Sequence, residues 1–134
     1  IDNDQILSLG AFDNQQLIAA IFFSRLTVPD PVTIYMLSPV AVRTDQQGKG
    51  IGQTLINHGL NELKTRAADV AVTYGAPAYY SRVGFQPITE TQIKAPQPLS
   101  MPQGWLAQSL TTAPIPAITS KPTCVPPFNN PSYW

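Results

Sequence analysis

Val40-Ala41-Val42-Arg43-Thr44-Asp45-Gln46-Gln47-Gly48-Lys49-Gly50-Ile51-Gly52 is the stretch on which the reading of this chain turns. Apolar residues lead into three glycines set at every second position. Beyond them, Ile51, Leu55, Ile56, Leu60, Leu63 and Ala67 recur at helical spacing, which predicts a helix from about Gly50 to Ala68. Lys64 and Arg66 fall in its last turns, where cations suit the dipole. Val40–Leu63 is therefore a strand, a glycine turn and a helix. Glycine lets a backbone come close to a ligand with no Cβ between them. The first N–H groups of the helix lack internal partners and point outward with the positive end of the dipole. Together they form an anion site suited to a phosphate or pyrophosphate, with Lys49 a flexible charge at its rim.

Two familiar phosphate loops fail on spacing. A dinucleotide fingerprint that uses Gly48 and Gly50 requires a third glycine where Gln53 stands. A P-loop requires glycine at Arg43 and a hydroxyl residue at Gly50. A glycine-eased turn that binds nothing stays open on spacing alone.

Outward from this unit, Ile6 to Phe12 and Leu17 to Val28 read as strands joined at Asp13-Asn14, a hairpin turn signal. Val32 to Val42 is a third strand. Its internal Pro39 predicts a bulge, because proline cannot donate to a ladder. Val70 to Tyr74 is a short buried strand, Ala78 to Val83 a short helix ended by Gly84, and Phe85 to Ile93 a further strand. Strands alternating with helices predict an α/β fold with at least one parallel pair. Residues 96 to 134 differ in kind. They hold nine of the 14 prolines, which disfavours a long helix or central strand there. Yet Trp105, Phe128, Tyr133 and Trp134 are more aromatic than a disordered linker would be, so this tail is expected to pack on the domain.

Composition narrows the rest. The 134 residues suit one domain that buries about two-thirds of its unfolded surface. Formal net charge is zero with no basic cluster, which argues against nucleic acid as a partner. No apolar run reaches the roughly 18 residues a membrane span needs. A lone Cys124 makes no internal disulfide, consistent with a reducing cytoplasm. The chain starts at Ile1 with no signal-peptide pattern before it, so it can be a fragment or a processed form.

Two motifs in order give a resemblance. Val40-Ala41-Val42 followed by Gln47-Gly48-Lys49-Gly50-Ile51-Gly52 resembles the acetyl-CoA motif of the GNAT superfamily of N-acetyltransferases, Q/R-x-x-G-x-G/A. Tyr80-Ser81-Arg82-Val83-Gly84-Phe85 is similar to the family's Y-x-x-x-G-F. The longer string Gly75–Phe85 resembles a bacterial branch of predicted GNAT acetyltransferases. This implies an α/β, GNAT-like mixed sheet, mostly antiparallel, with a central splayed parallel strand pair flanked by helices. Pantetheine is then expected between Val32–Val42 and Val70–Tyr74, paired with backbone groups of Val40 and Val42 beside Ala41. Backbone N–H groups of Gln47, Gly48, Lys49, Gly50, Ile51 and Gly52 are expected to hold the pyrophosphate of acetyl-CoA, a co-substrate, with no metal. An amine would attack the thioester directly, with orientation and oxyanion stabilisation the main contributions.

Tyr80 is the expected general acid, because a phenol keeps its proton at neutral pH and can donate it to the leaving thiolate. Tyr79 reads as core or pocket wall, Arg82 as a phosphate contact or a solvated face, Asp45 as a turn-shaping residue and His58 as a surface histidine. Thr33 to Val42 offers no Asp or Glu as base, so the base is left unassigned, with water able to take the proton instead. The family begins with a strand and two helices before its first hairpin, and this chain starts almost at the hairpin. The expected partner is a small-molecule or peptide amine, with a homodimer admitted and neither nucleic acid nor membrane. The competing expectation is a GNAT-fold module that binds acyl-CoA as sensor or scaffold without turnover.

Overall fold

Two residues with left-handed backbone start the sheet. Asn14 (φ 50°) and Gln15 (φ 68°) form the turn between β1 (Ile6–Asp13) and β2 (Gln16–Leu26), a twist that matches paired strands. The turn lies one residue later than Asp13-Asn14, since Asp13 is already paired with Gln16. The computed structural model describes residues 5–38 and 40–134.

The expected third strand is two short ones. β3 (Ile34–Leu37) and β4 (Ala41–Val42) both run antiparallel to β2, with Phe23 opposite Leu37 and Ala20 opposite Ala41. Four steps from Leu37 to Ala41 face three from Ala20 to Phe23, so one extra residue is bulged out between them. Pro39, to which that bulge was assigned, lies outside the described residues.

α1 (Ile51–Thr65) lies on one face of the sheet through Leu55, Ile56, Leu60 and Leu63, all buried. It stops short of Ala68. Ala67 turns left-handed (φ 61°) and is exposed, while the Ala68 N–H bonds the Leu63 carbonyl and the Ala67 N–H the Lys64 carbonyl. That pattern is a Schellman end, with alanine in the place glycine usually takes. β5 (Val70–Tyr74) then enters parallel to β3, paired from Ile34 with Val70 to Leu37 with Thr73. α2 (Pro77–Tyr80) and a short 3-10 turn follow, ended by Gly84 at φ 95°.

The strand expected from Phe85 to Ile93 is only β6 (Gln86–Pro87). Pro87 has no N–H for the ladder, and the chain turns away after the Ile88 N–H bonds the Trp105 carbonyl. β7 (Trp105–Ser109) inserts antiparallel between β5 and β6. The seven strands form one mixed, mostly antiparallel sheet in the order β1-β2-β3-β5-β7-β6, with β4 beside β2 and β3–β5 its parallel pair. On the face opposite α1, the tail covers the sheet. Trp134 is 6% exposed, stacked on Tyr74, and its Nε1 donates to the Phe128 carbonyl. Among the described residues no helix is long and apolar enough to cross a membrane.

Candidate active site

β3 and β5 are paired only as far as Leu37 and Thr73; beyond that point β4 stays with β2, and β5 has no β4 partner. The chain thus opens a gap in its own sheet. A cleft of about 840 Å³ occupies it, lined by Val40 and Val42 on one side and by Tyr74, Gly75 and Ala76 on the other. Gln47, Gly48, Gly50, Ile51 and Gly52 form one end, and Tyr79, Tyr80 and Arg82 line it as well.

Eight of the ten residues singled out from sequence meet in this cleft; Ala41 and Lys49 do not line it. Ala41 is taken up in the ladder opposite Ala20. The Lys49 ammonium donates to Gln46 Oε1 at 3.2 Å, and Lys49 lines a neighbouring hollow with Gly10, Ala11 and His58. Arg82 is the one charged residue among those lining the cleft, and it is cationic.

The glycines divide by what faces them. Gly48 (φ 79°) and Gly50 (φ 76°) need left-handed backbone, and a Cβ on either would meet nothing within 4 Å. That open space is where a ligand would lie. Gly52 is buried, and a Cβ there would press on the Tyr79 hydroxyl and Val40. Its role is close packing of helix on cleft wall. Gly50 is the N-cap of α1 with no side-chain cap, and no acidic residue stands in the first turn. The positive end of the helix is therefore left for an external anion. Arg43 grips Asp45 through two short bonds, 2.6 and 2.7 Å, so Asp45 shapes the turn as expected. The Arg43 bond holds the Asp45 carboxyl below the usual range. Gln47 adds a contact that spacing did not suggest: its Nε2 donates to the Val42 carbonyl at 3.1 Å. That acceptor is satisfied within the protein.

Tyr80 is 7% exposed, with its ring edge-on to Tyr79 at 5.0 Å and to Phe85 at 6.0 Å. Gly75 makes room for that ring, since a Cβ there would stand 2.7 Å from it. Burial pushes the Tyr80 phenol up from its ordinary value, helped by Tyr79 and opposed by a hydrogen bond with Thr73. Thr73 in turn donates to the Leu37 carbonyl at 3.0 Å. Thr73 thus marks the point where the parallel strands part. Thr73 was missed from sequence, although a lone hydroxyl in Val70-Ala71-Val72-Thr73-Tyr74 is a visible irregularity. His58 is exposed and outside the cleft. Among the described residues no Asp, Glu or His lines the cleft, and no cluster of three or more metal-ligating side chains occurs.

The profile of the GNAT acetyltransferase domain matches residues 3–88. YjhQ, an uncharacterised N-acetyltransferase of Escherichia coli K12, is 31% identical over 128 residues, 90% of this chain and 70% of its own length. YhbS, an uncharacterised N-acetyltransferase of the same strain, is 33% identical over 87 residues, 62% of this chain and 52% of its own. The structure of E. coli YhbS in complex with CoA superposes with a TM-score of 0.70 at 26% identity, over 78% of this chain and 58% of that one. A Brucella melitensis GNAT acetyltransferase in complex with acetyl-CoA gives 0.64 at 27% identity, over 83% of this chain and 62% of that one.

Proposed function

The chain belongs to the GNAT acetyltransferase family, and on that premise we propose that it transfers an acetyl group from acetyl-CoA to a primary amine. One observation carries the reading. The cleft that opens where β3 and β5 part has an uncapped helix N-terminus at one end and the buried Tyr80 phenol in its wall.

The residues fit such a donor. Left-handed Gly48 and Gly50, with open space above them, bring backbone N–H groups to the pyrophosphate, and Arg82 supplies a positive charge to the phosphates. The pantetheine arm lies along Val40 and Val42; because Gln47 holds the Val42 carbonyl, the arm pairs with the other backbone groups there. Bound acetyl-CoA supplies an acyl carbon activated as a thioester. The neutral amine nitrogen bonds that carbon as the carbon–sulfur bond breaks, and the nitrogen's surplus proton leaves through water. Tyr80 gives its phenolic proton to the departing sulfur and regains one from water. Its raised pKa keeps that proton in place at neutral pH.

A second reading is an acyl-CoA-binding module without turnover, since among the described residues lining the cleft none is an Asp, Glu or His that could serve as base. Calorimetric titration with acetyl-CoA followed by free-thiol assay over an amine panel separates the two. Binding with thiol release supports the transferase; binding with no release on any amine supports the module; no binding sinks both.

A further inference from the structure

Tyr74 belongs to two cavities. One is the cleft on the α1 side; the other, of about 190 Å³, lies under the tail and is lined by Met36, Leu37, Ser38, Tyr74, Phe128, Tyr133 and Trp134. They share Tyr74, which follows Thr73, the last residue of β5 paired with β3. The second cavity has unusual walls for a gap in packing. Tyr74 and Trp134 stack at 5.8 Å, and Phe128 meets Tyr133 at 6.3 Å. Hydrogen bonds lock the stack: the Met101 N–H donates to the Tyr74 hydroxyl at 2.7 Å, and Trp134 Nε1 donates to the Phe128 carbonyl. Among the described residues no charged side chain lines it.

One polar atom there is unaccounted for. Ser38 is 2% exposed, and its hydroxyl has no hydrogen-bond partner. A buried hydroxyl without a partner can take a hydrogen bond from an atom that enters the cavity. A second charge on a ligand would have no counter-ion here and would be desolvated at high cost. A single aromatic ring fits: cavities of about 150 Å³ with apolar walls take benzene.

We propose that this tail-walled cavity holds the aryl group of the acceptor, so that the substrate class is a single-ring arylalkyl primary amine carrying no other charge. The inference rests on the transferase reading above for its chemistry. Tyr74, shared by both cavities, is the partition across which the amine reaches the thioester. Ser38 offers its hydroxyl to the amine or to a ring substituent. Polyamines and amino sugars carry more charges and hydroxyls than these mostly apolar walls can meet.

Two measurements test this, one of which needs no acetyl-CoA. Titrating the protein with 2-phenylethylamine should change tryptophan emission saturably, and Trp134→Phe, which leaves Trp105 in place, should remove that change. At saturating acetyl-CoA, kcat/KM for 2-phenylethylamine should exceed that for putrescine. Tyr133→Ala is a mild change, since Tyr133 is 61% exposed. It should raise KM for 2-phenylethylamine about tenfold, with the affinity for CoA measured by calorimetry unchanged. Ser38→Ala should act in the same direction. Equal or better turnover of putrescine, or an unchanged KM in both variants, overturns the assignment. Failure of CoA to bind would instead overturn the transferase reading, and the fluorescence titration would still decide whether the cavity takes an arylamine.

Discussion

The cradle at Val40–Leu63 and the tail at 96–134 are two regions built by opposite means. The cradle is local. A strand end, a glycine turn and a helix start follow one another within a few residues, so each part is placed by its neighbours in sequence. The tail is assembled from distance: Trp105 Nε1 donates to the Ile93 carbonyl, β7 inserts between β5 and β6, and Thr27 and Thr123 exchange backbone hydrogen bonds. Local patterning makes the first region readable residue by residue, whereas the second exists only once the sheet is formed. The difference also divides the energetics. The cradle's residues are spent on openness and positive potential, and the tail's on burial.

The largest effect tests whether the tail is structural. Trp105 is fully buried and hydrogen-bonded at its indole N–H. Trp105→Ala should cost about 3–5 kcal/mol of stability, read from denaturant unfolding. A loss under about 1 kcal/mol would make the tail an appendage, since even a single buried methylene is worth about that much.

Next comes the cradle. Gly50→Asp puts a negative charge on the N-cap of α1, over space that is otherwise open. Asp and Asn tolerate left-handed backbone better than other residues, so the fold should survive. CoA affinity should fall about 100-fold, which is some 2.7 kcal/mol. Gly50→Asn adds the same bulk without charge and should lose less. Retained affinity in Gly50→Asp would show that the pyrophosphate lies elsewhere.

Tyr80→Phe probes the wall of the cleft. Turnover should drop about 100-fold, the usual scale for a lost acid, with CoA affinity within about twofold of the parent. Because burial raises the Tyr80 pKa, the acid form persists to higher pH than in an ordinary tyrosine. The alkaline fall in turnover should therefore lie above about 10. The same shift has a stability consequence. A phenol whose pKa is raised on folding contributes fully below the unfolded value, and that contribution is lost as pH rises through the folded one. An alkaline limb below that of free tyrosine would remove Tyr80 as the acid.

How far each region could be read follows from the range of its forces. Hydrophobic periodicity placed α1 because Leu55, Ile56, Leu60 and Leu63 point one way on a single helix. It overshot at Ala67, where a left-handed residue breaks the helix with no glycine to announce it. β5 was legible because Val70, Ala71 and Val72 form a short apolar run between polar turns, and β6 was not, because Pro87 and a pairing with residues some twenty positions later decide it. The turn at Gly48 and Gly50 could be read from their spacing alone, and both do take left-handed backbone with open space beside them. That Gly52 makes way for Tyr79, Gly75 for Tyr80, and that Gln47 closes back on Val42, are contacts between elements. Thr73 was hidden for the same reason: its importance comes from Leu37 and Tyr80, neither adjacent to it in sequence.

The smallest predicted effect isolates the cradle's helix from everything around it. Ala67 is exposed, so a change there disturbs no packing, yet it closes the C-terminal end of α1 at φ 61°. Left-handed backbone costs a residue with a Cβ about 1–2 kcal/mol. Replacing alanine by glycine also gives the unfolded chain more freedom, which takes back about 0.4–1 kcal/mol. The strain term is the larger, so Ala67→Gly should stabilise the protein by about 0.5 kcal/mol, a rise of roughly 2 °C in Tm. CoA affinity should not move, because the cleft engages the other end of α1, one helix length away. A stabilised protein with unchanged CoA affinity would separate the helix as a support from its first turn as a binding element. A change in affinity would instead mean that the whole helix, not only its first turn, sets the anion site.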